Sequence, residues 1–230
     1  MAGASVARRE IVVPKAPVLA MANRFGKYKP ETEKAVRKVD VKEDETLKKM
    51  KTAWKACSYT HNSTMDYARM FKILKKILKK VKYTAKDVEN FSIAIAEFQE
   101  ETDFGGKAGF FLSALMNKCK DRQFAIHTNH LAGFIHYLGY KNTKNITVDG
   151  NAGVNVGWRM KCGTITVNGN ARSHVGEGME DGSIIVEGDA GRSNGWDMKG
   201  GEIHFNGDYN GIGFNVDGKI FHKGKLIIGR

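Results

Sequence analysis

The C-terminal part of the chain repeats itself, and this repetition constrains the fold more than any other feature. From Ile146 onward the sequence aligns in register as ITVDGNAGVNVGWRMKCGT, ITVNGNARSHVGEGMEDGS, IIVEGDAGRSNGWDMKGGE and the shorter IHFNGDYNGIGFNVDGK, followed by IFHKG. The leading isoleucines are separated by 19, 19, 19 and 17 residues, at Ile146, Ile165, Ile184, Ile203 and Ile220. A fixed period of this length is typical of a solenoid.

Each repeat predicts one β coil. The alternation I-x-V followed by glycines predicts a short strand, a sharp turn and a second extended leg. One coil cannot bury its own Ile, Val and Met side chains, but stacked coils place each side chain on its equivalent and close a continuous core. Glycine recurs in step, for example at Gly157, Gly176 and Gly195, because a repeated turn needs positive φ or close backbone approach.

The glycine spacing also suggests a family. The pattern G-x-x-G-x-x-x-G at Gly150, Gly153 and Gly157 resembles the GXGXG-type β-helix of the glutamate synthase large subunit and of the C subunit of formylmethanofuran dehydrogenase. The resemblance covers Ile146 to about Lys225, with Arg172 and Asn210 in place of the middle glycine. It implies a scaffold that packs against catalytic partners, and it carries over no catalytic residue.

Upstream of the repeat, the apolar residues follow a helical period from Asp44. They predict a first helix that ends near Ser58 and a second helix that is capped by Asn62 or Ser63. A third helix is predicted to begin at a capping box formed by Thr84 and Asp87. A fourth helix is predicted to follow a break at Gly105 and Gly106. A fifth short helix is predicted from Asn129 to Leu138, where it would cap the first coil.

Together these patterns predict an α+β chain. An extended basic arm occupies residues 1–42, a small helical domain residues 43–140, and a short, single-handed β-solenoid of about four to five coils residues 141–230, as expected from the repeat.

The charge is divided unevenly along the chain. Residues 1–145 hold 28 Lys and Arg against 15 Asp and Glu, whereas residues 146–230 hold nine against ten. A basic half joined to a near-neutral half suggests that the basic half has an acidic partner. The candidate contacts to an acidic protein or to nucleic acid are Arg8, Arg9, Arg24, Lys27, Lys72, Lys75, Lys76, Lys79 and Lys80.

The sequence does not favour catalysis. No nucleophile with a base and an acid, no paired carboxylates and no zinc signature is present, so we predict neither an enzyme, a metal, a cofactor nor a small-molecule substrate. Three widely separated cysteines do not suggest a disulfide framework, and no apolar run is long enough to span a membrane. We therefore predict a cytoplasmic protein.

One corner of the solenoid is a candidate docking edge. Trp158 and Trp196 occupy the same repeat position two coils apart, with Arg159 and Asp197 beside them. Trp and Arg are enriched at interface hot spots, although an outward corner also tolerates any residue.

The leading hypothesis is a non-catalytic assembly subunit that docks protein partners in a larger complex through the solenoid and the basic helices. The alternative is an RNA- or ribosome-associated protein that binds through the basic arm and the lysine-rich helix. A third hypothesis, which rests on the resemblance alone, is an accessory subunit of a glutamate-synthase-like or formylmethanofuran-dehydrogenase-like enzyme.

Overall fold

A computed structural model describes residues 44–59, 64–79 and 81–229. Four α-helices come first within these ranges: α1 Glu45–Ala56, α2 Thr64–Ile77, α3 Ala85–Ala94 and α4 Phe104–Lys118, with a 3-10 turn at Ile95–Phe98. Seven strands follow: β1 Gln123–His127, β2 Asn145–Asp149, β3 Thr164–Val167, β4 Ser183–Val186, β5 Glu202–Phe205, β6 Lys219–His222 and β7 Lys225–Ile228.

Helices α1 and α3 begin where their sequences predict. Asp44 caps α1 by accepting a hydrogen bond of 2.7 Å from the Leu47 N–H. Thr84 caps α3, and the predicted capping box with Asp87 is confirmed. The predicted apolar stripe of α2 is buried at Met70 and Leu74, and also at Leu78 just after the helix. The predicted cap of α2 lies outside the described residues.

The predicted break at Gly105 and Gly106 is wrong, because both glycines lie in the first turn of α4. They are there for close packing: a Cβ on Gly106 would lie 2.5 Å from the Tyr59 hydroxyl oxygen, and one on Gly109 would lie 1.6 Å from the His136 carbonyl oxygen. Side chains at these positions would push α4 away from the chain that crosses it. The glycines therefore mark a contact surface of the helix, not its boundary.

The predicted β-solenoid is confirmed, with about five turns. Strands β1 to β6 pair in parallel in chain order, and the isoleucines of the repeat are direct neighbours in the register. Each isoleucine in this column is buried: Ile146, Ile165, Ile184, Ile203 and Ile220. The expected second extended leg is reduced to single bridged residues, at Ala152, Ala171, Ala190 and Tyr209.

The predicted fifth helix, Asn129 to Leu138, is wrong, because this segment is part of a coil. Strand β1 pairs with β2, and the chain beyond it follows the turn of the next coil. Tyr137, Gly139 and Lys141 have φ angles of 62°, 80° and 51°, close to the 61°, 70° and 52° of Asn155, Gly157 and Arg159. The solenoid therefore begins at Gln123, within the stretch that we assigned to the helical domain.

The two ends of the solenoid are covered differently. Helix α3 packs on β1, and the His127 N–H donates to the buried Ser92 hydroxyl at 3.1 Å. Helix α4 adds Ser113, whose hydroxyl accepts the Gly139 N–H at 2.9 Å. At the other end, β7 pairs with β6 in the antiparallel direction. The helices thus cap the first coil, whereas none of the described helices packs on the last coil.

Candidate docking edge on the solenoid

Four successive hydrogen bonds define two columns of residues at one corner. The N–H groups of Lys141, Arg159, Gly178 and Asp197 donate to the carbonyls of Trp158, Glu177, Trp196 and Phe214, at 3.0, 2.8, 2.7 and 2.9 Å respectively. We call the donor residues, together with Asn215 of the last coil, the charged column. Its members in order are Lys141, Arg159, Gly178, Asp197 and Asn215. The aromatic column consists of Tyr140, Trp158, Glu177, Trp196 and Phe214.

Trp158 is a packing residue as much as a surface residue. Its ring centroid lies 5.0 Å from that of Tyr140 and 5.7 Å from that of Tyr137. The buried Phe110 of α4 lies 6.4 Å away, and the Arg159 guanidinium lies over the indole at 5.5 Å. Trp158 therefore joins the helical part to the solenoid.

Trp196 and Asp197, by contrast, are exposed. The Trp196 side chain packs edge-on against Phe214, with ring centroids 5.5 Å apart. Trp196 is 36% exposed and Phe214 is 72% exposed. Asp197 accepts a hydrogen bond of 2.9 Å from the Asn215 side-chain amide. The aromatic pair of Trp196 and Phe214 is therefore open to a partner.

Phe214 was missed in the sequence because the last repeat is shorter. Aligning GFN at Gly213 with GWD at Gly195 and GWR at Gly157 would have placed it in the aromatic column. The described residues include four exposed large apolar side chains, and three of them, Trp196, Phe214 and Leu226, lie near the C-terminal end of the solenoid. The exposed apolar surface of the described residues is thus concentrated on the last coils of the solenoid.

A groove of about 450 Å³ runs along the same corner. It is lined by Trp158, Arg159, Glu177, Gly178, Glu180, Asp197, Lys199, Asn215 and Asp217. Its lining therefore contains four carboxylates and two cationic side chains. We call it the corner groove.

The carboxylates of the corner groove differ in their partners. Glu180 forms an ion pair with Lys161, and this hydrogen bond lowers the pKa of the Glu180 carboxyl. Glu177 accepts the Asn155 side-chain amide at 2.8 Å and lies 3.2 Å from His174 Nδ1. Within the part of the chain that the structure describes, no Lys or Arg forms an ion pair with Glu177, Asp197 or Asp217.

The basic candidates are only partly described. Lys72 and Lys76 are exposed on α2, and Lys79 is exposed just after it. Lys75 lies within α2. Arg8, Arg9, Arg24, Lys27 and Lys80 lie outside the described residues.

His127 and His136 of the first coil and Cys57 of the helical part hold structural positions. His127 lies between two carboxylates, 3.0 Å from Asp149 and 3.2 Å from Glu89. Burial lowers the pKa of His136, whose Nδ1 accepts the Val154 N–H at 3.1 Å. Burial raises the pKa of the Cys57 thiol to about 11, which disfavours the reactive thiolate.

No protein-family model, no curated protein and no solved structure matches this chain. Among the described helices, none is long and apolar enough to cross a membrane. The GXGXG resemblance therefore stays a prediction that rests on the repeat itself.

Proposed function

We propose that this chain is a non-catalytic assembly subunit, in which a rigid β-solenoid binds a protein partner at its C-terminal end. The observation that carries this proposal is the exposed aromatic pair of Trp196 and Phe214 on the last two coils. Solenoids require a cap on each terminal repeat, because an uncapped repeat exposes its apolar and backbone groups. A partner that covers this end would supply a cap that the described helices do not form there.

The backbone hydrogen bonds between successive coils also favour partner binding at the C-terminal end of the solenoid. The Ala171 N–H donates to Asp189 in the next coil at 2.9 Å, and the Ala190 N–H donates to Asp208 at 2.8 Å. Among the described residues, Tyr209 is the last bridged member of this column, and its N–H donates to no described backbone carbonyl. The carbonyl groups of an extended partner segment are suitable acceptors for it. Exposed aromatic anchors such as Trp196 are typical of protein interfaces.

The test is recovery of the partner from the source cells, followed by measured binding to the identified protein. We expect the double variant Trp196→Ala and Phe214→Ala to bind that partner at least tenfold more weakly, because truncated hot-spot aromatics cost about 2 kcal/mol or more each. Phe134→Ala is the matched control, since Phe134 is also 36% exposed but lies in the first coil. Affinity of the double variant within twofold of the original protein would contradict the proposal.

The resemblance to GXGXG-type β-helices supports the scaffold role, because in those enzymes the module packs against catalytic subunits. An accessory subunit of a glutamate-synthase-like or formylmethanofuran-dehydrogenase-like enzyme is one form of the proposed function. Identification of the recovered partner distinguishes this form from others.

A second candidate, RNA binding, is favoured by the exposed lysines of α2. Lys72, Lys76 and Lys79 are spaced four and three residues apart, which places them along one side of a helix. Such a row follows a phosphate backbone.

If RNA binds there, replacing the three lysines with glutamine should reduce the slope of log affinity against log salt. The reduction should be about two for single-stranded RNA, at about 0.7 for each phosphate contact. Replacing the exposed Lys120, Lys219 and Lys225 is the control of equal charge. Equal slopes for both triple variants would remove α2 as the RNA contact.

A further inference from the structure

Gly178 differs from the other glycines at this corner, because packing does not require it. A Cβ on Gly157 or Gly176 would lie 2.4 or 2.5 Å from an isoleucine Cδ1 of the core. A Cβ on Gly178 would meet only the Arg159 Cγ, at the ordinary contact distance of 3.4 Å. The side-chain position at Gly178 is therefore sterically available.

The backbone does not require glycine at this position either. Gly178 has a φ of 60°. The other members of the charged column have similar positive φ angles although they carry side chains: 51° at Lys141, 52° at Arg159, 51° at Asp197 and 56° at Asn215. Four of the five coils thus place a side chain where the third coil places none. We call the resulting gap between Arg159 and Asp197 the Gly178 notch.

The charge around the notch is incompletely balanced. Of the four carboxylates that line the corner groove, only Glu180 forms an ion pair with a described Lys or Arg. The two cations of the lining are Lys199 and Arg159, and the Arg159 guanidinium lies 5.5 Å from the centroid of the Trp158 ring. Four carboxylates against two cations give the groove a negative charge in a chain with a net charge of +12.

We propose that the Gly178 notch binds an arginine side chain of the protein partner. This proposal rests on the proposed function and names the chemistry of the partner segment. The column lacks one side chain, and a side chain from the partner fills the gap. Glu177, Asp197 and Asp217 line the same groove, and several carboxylate acceptors suit the five donors of a planar guanidinium better than the compact ammonium of lysine.

The first experiment uses a defined probe on the full chain. The peptide acetyl-Gly-Gly-Arg-Gly-Gly-amide is titrated while the amide signal of Gly178 and the indole signals of Trp158 and Trp196 are followed by NMR. The same peptide with citrulline, which keeps the shape but lacks the charge, is expected to bind at least tenfold more weakly. A lysine peptide is expected to bind several-fold more weakly than the arginine peptide. Equal binding of the arginine and citrulline peptides, or of the arginine and lysine peptides, would overturn the proposal.

The second experiment fills the notch. Asparagine tolerates positive φ, so Gly178→Asn should fold normally while it occupies the space and reduces arginine-peptide binding at least tenfold. Gly224→Asn is the matched control, because Gly224 has a φ of 77°, and nothing lies within 4 Å of an added Cβ there. The pair Asp197→Asn with Asp217→Asn should weaken binding to a similar degree. Unchanged peptide binding by Gly178→Asn would exclude the notch as the site.

The two proposals fail in different ways. If the Trp196 and Phe214 double variant no longer binds the natural partner whereas Gly178→Asn still binds it, the docking function is supported and the notch proposal is contradicted. If the arginine peptide binds at the notch but no variant of the aromatic pair changes the affinity for the natural partner, the proposal of the aromatic docking surface is contradicted instead.

Discussion

Gly176→Ala is expected to lower the free energy of unfolding by about 3 kcal/mol. Gly176 has a φ of 69°, and an added Cβ would lie 2.5 Å from the Ile203 Cδ1 and 3.4 Å from the Ile184 Cδ1. Left-handed backbone costs a non-glycine residue roughly 1–2 kcal/mol, and overpacking of a core costs about 1–3 kcal/mol more. Both isoleucines belong to the buried column, so neither can move into solvent.

The control for this prediction separates the two costs. Gly224 has a φ of 77°, but an added Cβ there would meet nothing within 4 Å. Gly224→Ala should therefore show only the backbone cost of roughly 1–2 kcal/mol. Urea denaturation followed by circular dichroism measures both variants. A Gly176→Ala variant no less stable than Gly224→Ala would show that the glycine column does not support the isoleucine column.

Trp54→Ala is expected to destabilise the protein by about 3–5 kcal/mol, the usual cost of removing a buried aromatic side chain. Trp54 is 0% exposed and lies at the centre of the helical part. Its ring centroid lies 5.2 Å from that of Phe111 and 5.3 Å from that of Phe98. Its indole N–H donates to Glu101 at 3.0 Å, and the Lys107 ammonium lies 4.3 Å from the ring centroid.

The three tryptophans provide an internal series for this measurement. Trp158→Ala should have an intermediate effect, because the half-buried Trp158 packs on Tyr137 and Tyr140. Trp196→Ala should cost less than about 1 kcal/mol, as expected for an exposed side chain. The order Trp54, Trp158, Trp196 in thermal and urea unfolding checks the burial of each residue. A Trp196→Ala variant as unstable as Trp54→Ala would mean that Trp196 is a core residue and not a docking residue.

The columns of the solenoid were predictable because identical side chains recur at a fixed period. Ile165, Ile184 and Ile203 needed only the 19-residue spacing to be placed above one another, and the register shows that pairing. The capping box of α3 was predictable for a similar reason, since it depends on two residues three positions apart. The prediction that Trp158 and Trp196 lie in one column also came from the repeat.

Other features depended on contacts between distant residues. Gly105 and Gly106 suggest a break in a helix, but Tyr59 and the carbonyl of Phe134 approach them so closely that glycine is needed inside α4. The periodic apolar residues from Leu131 to Leu138 suggest a helix, but the backbone bonds of Tyr137 and Lys141 to the second coil favour a turn. Tertiary packing overrode the local pattern in both segments.

The sequence by itself determined that the chain contains a solenoid, because five isoleucines at a near-constant period can share a core in only one stacked arrangement. Only the tertiary structure decided where the solenoid begins and which end the helices cover. The first coil follows the backbone path of the others with unlike side chains, and hydrogen bonds between coils depend on that path and not on side-chain identity. The Gly178 notch also required the structure, because a glycine that packing demands and a glycine that leaves a space look the same in a sequence.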